Sequence, residues 1–404
     1  MWIRTPAELD ALAASLGGAS ALAIDTEADS LHHYPGKLCL VQIADAAGRG
    51  YLVDPLAVAD LTPLGPLLAD PATIKILHAA DNDLAYLKRL YRFSIVGLFD
   101  TSIAARFLGA TALGLDGLLR EFLGVEPVKS RQKDDWSRRP LTPAQEAYAL
   151  NDVLHLVALR ERLLAELRAR GRDGWVEEEC AALAALPVPD RVSDPDAYLW
   201  LKGAKDLDGR GLAVLRELHR MREALALKLD RPPFMIVGNE AMVKLALLRP
   251  RDAAAVATVP GCSATVIRRH GEAILEAVAR GAAVPESELP ARPRGQRPSL
   301  PAPVRRRAET LRAWRVGAAE RLGLEPGLLL PQRVIDRLAT EPPSDLTGLA
   351  RADGVRRWRT ELFGEELLLT LSHRLGLTGG PRRPPRGPPR TGLRRQSRRS
   401  NEEQ

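Results

Sequence analysis

The chain has 404 residues, of which 45% are hydrophobic and 4% aromatic, with 58 basic and 51 acidic side chains. This length exceeds one ordinary hydrophobic core and predicts two to four domains. No apolar run approaches the roughly 18 to 20 residues that a membrane helix needs, so we expect no membrane partner.

The cysteines and the first residues favour a cytoplasmic location. Cys39, Cys180 and Cys262 are far apart and form no Cys-x-x-Cys pair, which predicts neither a zinc site nor a disulfide framework. The opening MWIRTPAELDALAASL has no basic segment followed by an apolar block, unlike a secretory signal. A reducing cytoplasm is therefore the expected compartment.

The first 165 or so residues alternate strand and helix patterns. The short apolar runs ALAID (21–25), LCLVQIA (38–44) and GYLVD (50–54) are separated by polar or glycine-containing turns, which predicts an antiparallel meander. TIKILHA (73–79) is a fourth strand, reached through a leucine-rich helix near 61–68, which indicates a crossover. Together these patterns predict a mixed α/β layer fold.

Helix patterns follow the fourth strand. DNDLAYLKRLY and DTSIAARFLGA each begin at a residue of N-cap type, and we expect Asp81 and Asp100 to cap them. TPAQEAYALNDVLHLVALRERLLAELRAR predicts one long helix, with Thr142 as its N-cap and Pro143 at its first position.

The rest of the chain is helical and contains an internal repeat. LRELHRMREALALKL from Leu215 is echoed by LRAWRVGAAERLGL from Leu311, and RHGEAIL (269–275) by LFGEELL (362–368). A proline-rich linker at 284–303 separates the two copies. We interpret them as two copies of one small helical module, and repeated modules usually repeat a binding role.

Positive charge is concentrated at the C-terminus. From Pro381 onward there are eight arginines and two glutamates, which is +6 of the total net charge of +7. The rest of the chain is therefore nearly neutral. We expect a disordered basic tail whose partner is an acidic polymer, nucleic acid first, and the alternative is a merely solubilising tail.

Two carboxylates, Asp25 and Glu27, lie two residues apart at the end of the first apolar run. Period-two alternation places them on one face, where they repel each other unless a cation lies between them. Two more carboxylates could converge on this pair: Asp83 follows the fourth strand, and Asp152 interrupts an apolar helix stripe. Tyr148 lies one turn before Asp152 on the same helix face. A hard divalent ion such as Mg²⁺ prefers such oxygen ligands.

These motifs, in this order, resemble those of a known family. Residues 1 to about 375 resemble the ribonuclease D family of the DEDD 3′-to-5′ exonuclease superfamily, through IDTE, HAADNDLAYL and YALNDVLHL, and Tyr148 marks the tyrosine subclass. The resemblance implies a ribonuclease-H-like exonuclease fold, α/β with a mixed sheet and flanking helices. Both helical copies resemble the HRDC domain, a module associated with nucleic acid, which implies one or two all-α domains after the exonuclease domain.

The resemblance also implies the site. Asp25, Glu27, Asp83 and Asp152 would be the ligands of two divalent metal ions, Mg²⁺ or Mn²⁺, and Tyr148 would orient the attacking water. Many relatives have a larger residue where this chain has Ala28. How the terminal base is held is therefore left open.

The expected domain limits follow from the motifs and the repeat. They are an exonuclease domain at 1–170, a connector at 171–197, a first HRDC domain at 198–281, a proline-rich linker at 282–303, a diverged HRDC-like domain at 304–378 and a basic tail at 379–404.

The expected function is that of a metal-dependent 3′-to-5′ exoribonuclease that releases 5′-mononucleotides. Its partner would be RNA with a free 3′ end, such as transfer-RNA precursors and other structured RNA, and the protein would be a monomer. One alternative is a DNA exonuclease of the proofreading type, because the metal site is indifferent to the 2′-hydroxyl. Another is an RNA-binding protein with an inactive nuclease domain.

Several other residues have two interpretations each. Lys129, Arg131 and Lys133 could contact phosphates or belong to a solvated loop, and Trp136 could stack on a nucleotide or be buried. We interpret His78 as a satisfied core histidine and Phe234 as a core residue of the first module.

Overall fold

The computed structural model describes residues 1–189, 194–291 and 300–372. We call residues 1–189 the α/β domain, 194–291 module 1 and 300–372 module 2. The predicted basic tail at 379–404 lies outside the described residues. None of the helices in the described ranges is long and apolar enough to cross a membrane.

The α/β domain is built on a six-stranded mixed sheet with the order β1-β4-β3-β2-β5-β6. The strands are β1 (Trp2–Ile3), β2 (Ala21–Ala28), β3 (Leu38–Asp45), β4 (Gly50–Val53), β5 (Ile74–Leu77) and β6 (Leu98–Asp100). The predicted meander is confirmed, because β3 is antiparallel to both β2 and β4. The crossover is confirmed too, because β5 is parallel to β2.

Helices cover both faces of this sheet. They are α1 (Pro6–Leu16), α2 (Gly65–Ala69), α3 (Asp81–Tyr91), α4 (Thr101–Leu108), α5 (Leu115–Leu118), α6 (Pro143–Leu154), α7 (Leu156–Ala169) and α8 (Asp173–Ala185). A 3₁₀ turn at Thr62–Leu64 precedes α2, and a π-helical turn at Leu119–Leu123 follows α5.

The single long helix predicted after Thr142 was wrong. The segment forms two helices that meet at His155, whose φ of −99° and ψ of −7° interrupt the regular turn. The first of them, α6, packs on β2, β3 and β4, whereas α7 packs chiefly on α4 and also contacts β2 and β5. The two helices therefore share β2 and otherwise pack on different elements.

The remaining helices form the two modules. Module 1 contains α9 (Gly209–Leu229), α10 (Pro233–Ile236), α11 (Asn239–Leu248), α12 (Ala253–Ala257) and α13 (Ala264–Ala282), with 3₁₀ turns at Ala197–Trp200, Ala204–Asp206 and Glu286–Glu288. Module 2 contains α14 (Ala302–Leu322), α15 (Pro326–Leu329), α16 (Gln332–Thr340), α17 (Leu346–Arg351) and α18 (Arg357–Ser372). The predicted fold class, an α/β domain followed by all-α modules, is confirmed.

The two modules differ in where their cores lie. Module 1 has a hydrophobic core of its own. The ring of Tyr34, from the α/β domain, packs against this core. The core of module 2 is continuous with the core of the α/β domain. The interpretation of Phe234 as a core residue was wrong, because its side chain on the short helix α10 is 56% exposed.

Candidate active site

The end of β2 holds the first two site residues. Asp25 pairs with Gln42 and Glu27 with Leu40 across the antiparallel β2–β3 ladder, and a register shift follows Glu27. This face of the sheet is covered by α6. Asp25 and Glu27 therefore point into the space between sheet and helix rather than into solvent.

Helix α6 brings two further residues to the same space. It begins with the predicted N-cap: the Thr142 side chain accepts from the Gln145 backbone N–H, and the Gln145 side chain returns a contact to Thr142, completing a capping box. Pro143 occupies the first turn, as predicted. Both Tyr148 and Asp152 are buried on the covered side of the helix.

Three of the four predicted carboxylates converge. The ligand oxygens of Asp25, Glu27 and Asp152 all lie within 4.8 Å of one another. Two segments more than a hundred residues apart in sequence supply them. This convergence is the geometry that a single ion with carboxylate ligands requires.

Asp83 stands beside this cluster and is not one of its three members. It is buried on α3, and its Oδ1 accepts a hydrogen bond of 2.5 Å from the Thr26 hydroxyl. Its charge is close enough to raise the pKa of Asp25. Thr26, which lies between the two acidic residues of β2, thus holds the Asp83 carboxylate in place.

The turn that leads into α3 corrects one prediction. Ala80, not Asp81, occupies the N-cap position of α3 and makes no side-chain cap, so the interpretation of Asp81 was wrong. Asp100 holds the turn instead, because its carboxylate accepts from the backbone N–H groups of Ala79 and Ala80 at 3.2 and 2.9 Å. Asp100 also caps α4, as predicted.

Burial raises the pKa values of the four carboxyl groups, and repulsion from other carboxylates of the site adds to it at Asp25 and Glu27. Burial is the largest cause in each case. It raises the pKa of Glu27 to about 9, with the charges of Asp152 and Asp83 adding to it. The pKa of Asp152 rises to about 7, against an opposing interaction with the Tyr148 hydroxyl, and that of Asp83 rises to about 6, against the hydrogen bond from Thr26. Burial and the three neighbouring carboxylates hold the pKa of Asp25 well above its usual range.

These shifts show that the residues fit a divalent metal. Carboxyl groups forced together at low exposure favour the protonated form unless a cation offsets their charge. Their oxygens are hard ligands of the kind that Mg²⁺ and Mn²⁺ bind. The donor set is therefore suited to a divalent ion.

The Tyr148 hydroxyl lies beside Asp152, and burial raises the tyrosine pKa well above its usual range. The hydroxyl is therefore protonated at neutral pH and can donate a hydrogen bond. Its ring packs against Trp136, with 6.2 Å between ring centroids. Trp136 is fully buried, so of its two interpretations burial is the correct one.

The basic loop before Trp136 lies near the carboxylates. The charge of Asp134 adds to the pKa shift of Glu27. Lys129 and Lys133 are exposed, and Arg131 lies 3.7 Å from Asp134. Contact of these cations with phosphates stays a prediction. His78 is satisfied as predicted, with its Nδ1 2.9 Å from the Thr101 hydroxyl.

Sequence reasoning missed two residues of the site. Thr26 was given no role, although its position between two acidic residues of a strand was an available signal. Gln42, directly opposite Asp25, is fully buried, and neither of its amide atoms has a hydrogen-bond partner in the described part of the chain.

Family models match most of the chain. A 3′-5′ exonuclease model matches residues 1–168, and an HRDC domain model matches residues 211–278 and 304–371. These matches fall inside the predicted exonuclease and HRDC domains, whose exact limits stay predictions.

Relatives match at both the sequence and the structure level. Ribonuclease D of Pseudomonas paraeruginosa is 35% identical over 381 residues, covering 92% of this chain and 97% of the relative. Ribonuclease D of Acidiphilium cryptum is 35% identical over 388 residues, covering 94% and 95%. The crystal structure of Escherichia coli RNase D, described as an exoribonuclease involved in structured RNA processing, aligns with a TM-score of 0.67 at 27% identity and covers 92% of this chain and 98% of that one. The catalytic core of RRP6 from Trypanosoma brucei aligns with a TM-score of 0.60 at 27% identity, covering 70% and 80%.

Proposed function

Because the chain belongs to the ribonuclease D family, we propose that its 3′-to-5′ exoribonuclease activity resides in Asp25, Glu27, Asp83, Tyr148 and Asp152. The activity class follows from the family and from the exonuclease domain. The assignment of the residues is our proposal.

One observation carries the assignment. The carboxylate oxygens of Asp25, Glu27 and Asp152 meet within 4.8 Å, in a domain matched by a 3′-5′ exonuclease model. A solvated acidic surface would keep such groups apart, because bringing them together without a cation costs free energy.

The proposed cofactor is a pair of divalent ions, Mg²⁺ or Mn²⁺. Asp25 would be shared between them, with Glu27 and Asp152 on one side and Asp83 on the other. Bound ions of this kind lower the pKa of a water molecule and stabilise the leaving oxygen of a phosphodiester.

The protein's own part in the reaction is to position the reactants. The Tyr148 hydroxyl stays protonated, so it orients a water by hydrogen bonding and does not remove its proton. The water oxygen would bond to the phosphorus of the last phosphodiester while the bond to the 3′-oxygen of the preceding nucleotide breaks. The water loses a proton, and the leaving 3′-oxygen takes one up to become the new 3′-hydroxyl. The product is a 5′-mononucleotide and a chain shortened by one residue.

The proposed substrate is structured RNA with a free 3′ end, including transfer-RNA precursors, and the proposed active unit is a monomer. Support comes from the Escherichia coli relative, which acts in structured RNA processing, and from the two HRDC matches beyond the exonuclease domain.

The test uses matched RNA and DNA oligonucleotides, each with a free or a blocked 3′ end, with Mg²⁺, with Mn²⁺ and with a chelator. We expect stepwise shortening of the free-ended RNA only when metal is present. Faster shortening of the DNA would contradict the proposed substrate. Turnover in the presence of chelator would contradict the proposed metal site.

A further inference from the structure

The loop that joins β2 to β3 leaves the active site and reaches module 1. Asp29 closes this loop: its Oδ1 accepts from the Lys37 backbone N–H at 2.6 Å, and its carbonyl accepts from the N–H groups of His32 and His33. The loop therefore begins two residues after Glu27 and has a fixed base.

The tip of the loop makes the polar contacts with module 1. His33 Nδ1 lies 2.7 Å from Asp230 Oδ2, and the Tyr34 backbone N–H donates to Asp230 Oδ1 at 3.0 Å. The Tyr34 hydroxyl donates to Glu223 at 2.6 Å, and its ring packs on the module 1 core. Asp230 ends α9 in a left-handed conformation, with φ of 48°.

The other side of the same histidine faces the segment that precedes α6. His33 Nε2 lies 3.1 Å from the Ser137 hydroxyl, which donates to Asp135 at 2.6 Å. Both ring nitrogens of His33 are thus engaged, one towards module 1 and one towards the α/β domain. We call Asp230, His33 and Ser137 the His33 bridge.

The segment that contains Ser137 contacts both the catalytic helix and the sheet. Its neighbour Trp136 is fully buried against Tyr148. Arg139 donates to both Asp54 oxygens at 2.7 Å and to a backbone carbonyl at 2.7 Å. Three residues after Arg139, the Thr142 capping box starts α6. A displacement of Ser137 would therefore also displace its neighbour Trp136, whose ring packs against that of Tyr148.

We propose that the His33 bridge is a set of positioning residues for the reaction: the docking of module 1 through Asp230 and His33 holds Ser137 and Trp136 so that Tyr148 keeps its place beside Asp152. The proposal rests on the proposed function. It gives module 1 a role in turnover even for a substrate too short to touch it.

The test therefore measures turnover of a trinucleotide RNA and compares it with turnover of a long structured RNA. Ser137→Ala removes the hydroxyl contact on the α/β side, leaves only Asp135 Oδ1 at 3.7 Å from His33 Nε2 there, and changes no residue that contacts module 1. Asp230→Gly cuts it on the other side and suits the left-handed backbone, which glycine adopts readily. Ser137→Thr restores a hydroxyl. Glu240→Gln is the matched control, because it removes an exposed ion pair of module 1 with Lys244 at 2.7 Å that shares no residue with the bridge.

We expect Ser137→Ala and Asp230→Gly each to lower kcat on the trinucleotide about tenfold with little change in KM, the size of effect that one lost positioning hydrogen bond can have. Ser137→Thr should recover most of the rate, and Glu240→Gln should match the parent. Because both changes cut one path, the double variant should be no slower than the slower single variant.

A second measurement does not depend on turnover. In the metal-free protein, backbone hydrogen exchange between Trp136 and Thr142 should be faster in Asp230→Gly than in Glu240→Gln. Unchanged exchange, or a trinucleotide kcat equal to that of the parent in both bridge variants, would overturn the inference. A parent protein that shows no metal-dependent turnover of either RNA would overturn the proposed function instead.

Discussion

Modules 1 and 2 share a helical pattern but are attached to the α/β domain in opposite ways. Module 2 is joined through buried apolar groups: Trp358 stacks on Trp175 with 4.8 Å between ring centroids, and it meets Phe107 edge-on at 5.6 Å. Arg359, only 2% exposed, pairs with Glu179 at 2.5 Å. The two hydrophobic cores are continuous there.

Module 1 is attached mainly by polar contacts. His33 and Tyr34 reach Asp230 and Glu223, and the Asp230 side chain is 52% exposed. Exposed contacts of this kind contribute little to stability, whereas buried aromatic contacts contribute much. The difference teaches that a repeat in sequence predicts a repeated fold but not a repeated attachment. A binding role for either copy stays a prediction.

The comparison affects how the modules can be tested. A truncation from about Ser193 would remove both modules together, and it would expose the aromatic surface of Trp175 and Phe107 to water. Loss of activity in such a variant would not separate RNA positioning from misfolding. Single substitutions at the two attachments distinguish a loss of RNA positioning from misfolding.

The largest effect on stability is expected at the buried attachment. Trp358→Ala should lower the free energy of unfolding by about 3 to 5 kcal/mol, because it leaves a cavity between module 2 and the α/β domain. Phe234→Ala, an exposed aromatic of module 1, is the control and should change it by no more than about 0.5 kcal/mol. Urea unfolding measures both. Equal values for the two variants would contradict the comparison.

The ion pair beside that tryptophan should have the next largest effect. Arg359→Met leaves Glu179 without its buried partner and frees the carbonyls of Leu328 and Leu329 to which Arg359 donates. We expect a loss of about 3 kcal/mol. Adding Glu179→Leu should lower the free energy of unfolding further, because Arg356 and Trp358 Nε1, which contact the Glu179 carboxylate at 3.3 and 3.2 Å, then lose their partner. A double variant as stable as Arg359→Met would show that the Glu179 carboxylate contributes only through Arg359.

The acidic site lowers the free energy of unfolding of the α/β domain in the absence of metal, by an amount that depends on pH. The folded-state pKa values of Asp83, Asp152 and Glu27, about 6, 7 and 9, all lie above their unfolded values. The folded state therefore binds more protons in this range, so the metal-free protein is most stable below about pH 4 to 5 with respect to these groups and loses that stability as pH rises through the folded values.

Asp152→Asn should accordingly make the metal-free protein more stable at pH 8, by on the order of 2 kcal/mol, with a smaller difference at pH 5. Urea unfolding with a chelator at the two pH values measures this. A variant less stable than the parent at pH 8 would contradict the pKa shifts.

The smallest effect is expected at the polar attachment. Tyr34→Phe keeps the ring in the module 1 core and removes the hydrogen bond to Glu223, which should cost about 1 kcal/mol in the docking of module 1. The control is Tyr86→Phe, a half-buried tyrosine of α3. Hydrogen exchange in the loop between Asp29 and Lys37 should rise only in Tyr34→Phe. An equal rise in the exchange rate in both variants would show that the Tyr34 hydroxyl does not contribute to the contact with module 1.

Local patterns predicted most of the site. Alternation along β2 placed Asp25 and Glu27 together, and the four-residue spacing put Tyr148 and Asp152 on one helix face. Both signals act within a few residues, so the sequence displays them directly. The family resemblance then joined these residues and Asp83 into one site.

What the sequence could not predict depends on contacts between distant segments. The break at His155 was hidden because both halves of the helix keep an apolar stripe, although α6 packs mainly on β3 and its neighbouring strands and α7 mainly on α4. The strands β1 and β6, of two and three residues, are too short to show alternation. Phe234 looked like a core residue because apolar composition alone does not show which side of a one-turn helix is covered.

A titration of divalent metal by calorimetry, followed by turnover of RNA on the same samples, tests the assignment of the site most directly. Asp152→Asn should lose both metal affinity and activity. Tyr148→Phe should bind metal like the parent and lose on the order of 10² to 10³ in rate, the effect of one positioned hydrogen-bond donor. Metal affinity and turnover of Asp152→Asn within about threefold of the parent, a free-energy difference of only about 0.65 kcal/mol, would contradict the account.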